Sequence, residues 1–216
     1  MRTPLRGLEK KSLREQTLAA LRTAITRGEL VPGRHLVETE LSEMLQISRG
    51  TLREALRQLE QEGLVTAGER GRLSVRAINV TEIRDIYAVR AALESLAARI
   101  LCELPERDRA TKSLHLAVDA IDAARDAPVE ERIDTDTEFH RSLCRLTGNK
   151  TLLHSWTSLE GSIRMSVMFG GLERAATNMT AQRHRDIVTA IETGDAALSI
   201  RTIHEHMHEA ANNLVA

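Results

Sequence analysis

A chain of 216 residues suits one large domain or two smaller ones, and 2% aromatic content beside abundant Leu, Ala, Glu and Arg points away from sheets and toward packed helices. The formal net charge of −1 hides an asymmetry: 14 Lys and Arg face 10 Asp and Glu up to Ile78, and 16 face 21 beyond it. A modestly basic front on an acidic rear suits a polyanion-binding head on a separate body, and it argues against a uniformly cationic or anionic protein. The longest apolar runs are too short for a bilayer, and the basic run 1–11 leads into no signal-like apolar block. Cys102 and Cys144 are isolated, without metal-type spacing, and read as reduced core thiols of a cytoplasmic protein.

Residues 12–27 predict an amphipathic helix with Leu13, Leu18, Leu21 and Ile25 on one face, stopped by Gly28. Leu30-Val31-Pro32-Gly33 is a turn. Residues 38–45 predict a short helix with Leu41, Met44 and Leu45 inward. After Gln46-Ile47, Ser48 is a good N-cap for a helix whose Leu52, Ala55, Leu56 and Leu59 share a buried face. Arg49, Arg53 and Arg57, spaced by four, form a basic ridge beside that face. On an isolated helix such a ridge reads more readily as a solvated charged surface. Gly63 ends the helix, and residues 64–66 and 73–75 predict two strands joined by a Gly-bounded turn at 67–71. Three helices followed by a hairpin make a winged helix-turn-helix, which turns the basic ridge into a DNA-reading surface.

The run RGELVPGRHLVETELSEMLQISRGTLREALRQLEQEGLV resembles the DNA-binding domain of GntR-family bacterial transcription regulators. The resemblance covers roughly residues 13–77. It implies that Ser48, Arg49, Thr51 and Arg53 face operator DNA, and that Gly71 and Arg72 at the wing tip approach the minor groove. Physically, an arginine fork can donate two bonds to the O6 and N7 edge of guanine. Ser48, Thr51 and the other basic residues would fix register through phosphates. Two departures leave the operator sequence open: many members carry Thr-Pro-Val where this chain has Gly50-Thr51-Leu52, and another branch has arginine where this chain has Thr39.

Beyond a linker at Ala77-Ile78-Asn79 the pattern is helical to the end. Breaks at Pro105, Pro128, Gly148-Asn149, Gly170-Gly171 and Gly194-Asp195 predict about six helices, near 81–103, 106–125, 129–147, 149–169, 175–193 and 195–214. The expected fold class is therefore mainly α, a winged helix-turn-helix over residues 1–77 followed by an all-helical bundle over 78–216.

Polar residues fall in unexpected places on these helices. Asp136 and His140 sit inside the apolar face made by Ile133, Phe139, Leu143 and Leu146. His184 lies among Ile187, Val188 and Ile191. On the last helix Ile203, Met207, Ala210 and Leu214 form the stripe, His206 borders it, and His204 and His208 project away. A single buried histidine is ordinarily a hydrogen-bonded core residue. A buried carboxylate, however, is costly without a cation, and three core-facing histidines beside one suit a divalent metal, Zn or Ni in particular.

The D-x-x-F-H, R-H-R-D-I-V-x-A-I-E-x-G-D and terminal H-M segments resemble the FCD effector-binding domain of the FadR-like subgroup. That resemblance implies metal ligation by Asp136, His140, His184 and His206, the four already selected by position. His204, His208 and His154 are then surface residues, and His115 is undecided.

Arg90 sits among Ile83, Ile86, Leu93 and Ala97, with Glu94 one turn on. It reads either as half of an internal ion pair or as a clamp for a carboxylate ligand; the resemblance favours a small organic acid near the metal. Arg164, flanking the Trp156-Leu159-Ile163 face, is a second effector-binding candidate. The leading expectation is a ligand-responsive repressor, homodimeric on a near-palindromic double-stranded operator, with no membrane partner. The rivals are a helical metalloenzyme, in which the metal activates water, and a regulator whose metal only staples helices together.

Overall fold

The computed structural model describes residues 12–216, so the basic run 1–11 lies outside the described residues. The chain divides into two compact units, with the boundary between Val75 and Arg76.

In the first unit, α1 (Leu13–Thr26) opens on a capping box: the Ser12 hydroxyl accepts from the Glu15 amide, and the Glu15 carboxylate accepts from the Ser12 amide at 2.7 Å. Two helices follow, α2 (Glu38–Met44) and α3 (Arg49–Gln61), separated by a turn in which Gln46 takes φ 52°. Strands β1 (Val65–Ala67) and β2 (Leu73–Val75) pair antiparallel, Val65 opposite Val75, with a 3₁₀ turn at Glu69–Gly71 between them. His35 bridges to Ser74 along the other edge of β2 and widens this wing.

Leu52, Ala55, Leu56 and Leu59 are fully buried and pack the α3 face as the spacing predicts. Two predicted inward residues are instead exposed, Leu13 and Met44. Leu13 is the first residue of α1, one turn ahead of Thr17, where burial begins. On α2 the inward side runs through Leu41 and Ser42, both buried, and half-buried Leu45. Met44 lies roughly 100° from the middle of that stripe, because each residue turns about 100°.

The second unit is helical throughout its described elements: α4 (Val80–Glu103), α5 (Arg107–Ala123), α6 (Val129–Arg145), α7 (Lys150–Thr157), α8 (Glu160–Gly170), α9 (Leu172–Asn178), α10 (Ala181–Glu192) and α11 (Ala196–Val215). Helices α4 and α11 share the most extensive packing, and both supply residues to the core around Ile83, Leu101, Ile203 and Leu214. Asn79, Asn149 and Asp195 each cap the helix that follows with a side-chain oxygen.

Two of the six predicted helices are broken where no Gly or Pro marks the sequence. Around Ser158 the Thr157 hydroxyl donates to the Leu153 and His154 carbonyls, and the Ser158 hydroxyl donates to the Ser155 carbonyl. Such local bonds compete with the helical ladder. At Thr180 the backbone is extended, while the preceding Asn178 is anchored on α11 by a bond to the Ala210 carbonyl at 3.1 Å. Mainly helical architecture with a winged N-terminal unit is otherwise as expected.

Gly170 ends α8 against the backbone of α11. A Cβ there would lie 2.8 Å from both the Cα and the carbonyl oxygen of Leu214. Gly170→Ala must therefore separate the two helices, and it is expected to lower stability by about 1–3 kcal/mol, the range for overpacking. Equilibrium denaturant unfolding checks this, against an expected unchanged or raised stability for Gly50→Ala at exposed Gly50 of α3, where the nearest atom to an added Cβ is 3.7 Å away.

Candidate functional site

Three helices bring their histidines to one point. His140 on α6, His184 on α10 and His206 on α11 are buried, and each offers a ring nitrogen within 4.8 Å of the other two. His140 Nε2 is 3.2 Å from His184 Nε2, and Asp136 Oδ1, one turn before His140, is 3.1 Å from the same His184 nitrogen. Phe139 closes the back of the site, its ring edge-on to both His140 and His184.

The outward nitrogens of two rings are already engaged. His140 Nδ1 donates to Glu94 Oε2 at 2.6 Å, and His184 Nδ1 donates to the Thr180 carbonyl at 2.8 Å. In a neutral ring these bonds place the proton on Nδ1 and leave Nε2 as a lone pair. Two such lone pairs and a carboxylate oxygen then face one another at hydrogen-bond distance, an arrangement that needs a cation at its centre or an added proton. Donors bound about 2.0–2.1 Å from one ion stand roughly 3.0–3.4 Å apart, so the 3.1 and 3.2 Å separations fit a shared divalent ion.

The electrostatics point the same way. Burial holds His206 well below the usual imidazole range, and the charges that His184 and His140 would carry lower it further. His140 is also lowered, because burial outweighs the attraction of Glu94. Burial alone would raise the Asp136 carboxyl, but the hydrogen bond and positive charge that a protonated His184 would offer it bring it below its ordinary value. The lowered pKa of the Asp136 carboxyl and the lowered values of the His140 and His206 imidazoles are shifts toward the ligand states that a metal requires.

Glu94 is the residue that sequence reasoning underrated. It is fully buried on α4 and satisfies three donors from three elements: His140 Nδ1, Trp156 Nε1 at 2.9 Å, and Arg90 Nε at 3.2 Å. The visible signal was its position inside the apolar face, one turn from Arg90; its other two partners come from distant sequence. Burial would raise its carboxyl, yet His140 and Arg90 hold it below the ordinary value.

Arg90 makes the ion pair with Glu94 and also lies over the Tyr87 ring, 5.0 Å from its centroid. It nevertheless lines the same small cavity as Asp136, His140 and His206, so the two readings of this residue are compatible. That cavity, about 20 Å³, has room for a water-sized sphere. Arg164 does not line it and pairs instead with Asp134. His204, His208 and His154 are exposed, and His115 bonds Glu192 at 2.7 Å on the surface. Burial pushes the Cys144 thiol up, which leaves it inert.

In the first unit the Ser48 hydroxyl caps α3 by accepting from the Thr51 amide at 3.1 Å and pairs with the Thr51 hydroxyl at 2.9 Å. Arg49 and Arg72 are exposed and make no side-chain bond among the described residues, and Gly71 ends the turn of the wing. Arg53 is exposed but not free: its Nε donates to Glu38 Oε2 at 2.7 Å.

Comparison with known proteins follows these two units. Residues 13–75 match the model of bacterial regulatory proteins of the gntR family, and residues 85–209 match that of the FCD domain. The Nta operon transcriptional regulator of Aminobacter aminovorans is 32% identical over 135 residues, which span 62% of this chain and 64% of that regulator. The "Probable D-xylose utilization operon transcriptional repressor" of Paenarthrobacter nicotinovorans is 27% identical over 191 residues, 85% of this chain and 80% of that protein. Among solved structures, McbR/YncC of E. coli aligns with a TM-score of 0.72 at 18% identity, covering 95% of this chain and 98% of its own, a likeness of fold. The matched families and relatives are regulators rather than enzymes, and this chain belongs to the GntR family of bacterial transcription regulators, with an FCD domain as its helical body.

Proposed function

We propose that the chain is a cytoplasmic, ligand-responsive repressor of a catabolic operon, whose helical body holds a divalent metal, Zn or Ni, on Asp136, His140, His184 and His206. The observation that carries the metal reading is the convergence of His140 Nε2 and His184 Nε2, on rings whose Nδ1 atoms donate elsewhere, with the Asp136 carboxylate. When bound, the ion would supply positive charge and open coordination positions for an anionic ligand. Glu94 and the Thr180 carbonyl orient the imidazoles from behind, a supporting role that typically contributes 10–100-fold to metal affinity.

A small carboxylate-containing effector is the ligand that suits this charge. Arg90 is the stronger of the two arginine candidates: it shares the cavity with three of the proposed ligands, whereas Arg164 has Asp134 as its partner. An organic acid is larger than the present cavity, so its binding selects a body conformation in which the site is more open. The effector thereby shifts the population between states that differ in affinity for the operator. The repressor sign is supported by the name of the Paenarthrobacter relative. Near-palindromic operators are read by dimers of such heads, so the working form is a homodimer.

At the operator, Arg49 and Arg53 read bases while Ser48, Thr51, Gly71 and Arg72 fix the approach of the helix and wing. Arg53→Ala and Arg49→Ala are each expected to abolish operator binding with the unfolding transition unchanged. Gel-shift titration at fixed salt measures this, and unchanged affinity would overturn the assignment.

Metal analysis of protein purified from metal-replete medium should give about one ion per chain. Asp136→Ala should lose it, and Glu94→Gln should weaken its retention against a chelator by about 10–100-fold. Metal-free wild-type protein would refute the ligand set.

For the effector, small mono-, di- and hydroxy-carboxylates are titrated into the protein–operator complex. One class should lower operator affinity, and Arg90→Lys, which keeps the charge but removes the two-point fork, should blunt the response without weakening operator binding itself. Indifference to all of them would remove the carboxylate switch.

A further inference from the structure

We propose that Glu38 positions Arg53 for base reading and thereby sets the ratio of operator to non-specific DNA binding. The inference rests on the reading of Arg53 as a base-contacting residue. Glu38 is the first residue of α2, and Arg53 lies in the second turn of α3; the helix-turn-helix brings these residues, 15 apart in sequence, into contact.

The geometry of that contact is selective. Glu38 Oε2 accepts from Arg53 Nε at 2.7 Å, and this is the hydrogen bond that Arg53 makes among the described residues. The two terminal nitrogens, which form the tip of the fork, remain available. That tip is the edge which donates in parallel to guanine O6 and N7. A carboxylate at the base of the fork restricts the rotation of a long side chain before DNA arrives, so less entropy is lost on contact. Arg49, one turn earlier on α3, has no such partner among the described residues.

The charge of Glu38 acts in the opposite direction on non-specific binding. Arg53 and Glu38 are 59% and 32% exposed, and an exposed pair of this kind contributes little to stability. On a surface that meets phosphates, however, the carboxylate neutralises one arginine charge and repels the backbone. Non-specific binding depends almost entirely on such charges, whereas operator binding also depends on the placed fork. Glu38 therefore weakens the first and supports the second.

The test uses full-length protein and fluorescence anisotropy at one fixed salt concentration. The two probes are a duplex selected by the wild-type protein from a random library and a shuffled duplex of equal length. Glu38→Ala removes both charge and acceptor. It should bind the shuffled duplex more tightly and the selected duplex more weakly, by about tenfold for a partly lost two-point base contact. Glu38→Gln, which keeps an acceptor oxygen, should fall between Glu38→Ala and wild type. In an Arg53→Ala background, Glu38→Ala should no longer weaken binding to the selected duplex.

Tighter binding to both probes by the same factor would reduce Glu38 to a repelling charge and overturn the proposal, as would an unchanged ratio. If Arg53→Ala alone leaves selected binding intact, the base-reading role of Arg53 fails first, which separates that failure from one confined to Glu38. Far-ultraviolet circular dichroism of each variant excludes loss of fold as the cause.

Discussion

Glu94 carries a full negative charge in a place that water does not reach, and the helical body is arranged around satisfying it. Removing a carboxylate from water costs several kcal/mol unless hydrogen bonds and opposite charge replace the lost hydration. Arg90 supplies the charge, Trp156 and His140 supply further donors, and these residues come from α4, α7 and α6. Loss of any one leaves the others with a poorly compensated anion. The anion therefore ties three helices to one geometry, more specifically than apolar packing of the same area would.

That geometry has a consequence at the far side of His140. Because Glu94 accepts from Nδ1–H, a neutral His140 faces the neighbouring helices with the lone pair of Nε2, and the Thr180 carbonyl imposes the same tautomer on a neutral His184. The break between α9 and α10 matters here, since the extended backbone at Thr180 leaves its carbonyl turned toward the first turn of α10. An irregularity in the backbone and a buried charge thus favour one neutral tautomer on each ring, and those tautomers turn two lone pairs toward the proposed metal position.

The sequence makes the proposed ligands visible and hides their supports. Asp136, His140, His184 and His206 betray themselves because each is a polar residue on an apolar helix face, a property local to one helix. Glu94 shares that property, but its bonds to His140 and Trp156 span 46 and 62 residues, and no pattern within α4 predicts them. Likewise α2 is readable from spacing and α3 from spacing and its Ser48 cap, while the Arg53–Glu38 pair depends on the angle at which the turn sets one helix against the other. The breaks at Ser158 and Thr180 escape for another reason: hydroxyl and amide side chains redirect the backbone there, and these residue types are equally at home inside helices.

The two units use one device on two arginines. In each, a glutamate accepts from Nε, so the carboxylate grips the base of the guanidinium and does not occupy its tip. An arginine held this way differs from a free one in orientation rather than in charge. At Arg90 the grip is buried, within a network that leaves little freedom, and the side chain is placed at the cavity wall regardless of what enters. At Arg53 the grip is exposed, so water and phosphates compete with it, and its strength follows salt concentration in the way that screened surface pairs do. Orientation at the body is consequently fixed by folding, whereas orientation at the head stays adjustable by the ionic conditions under which DNA is met.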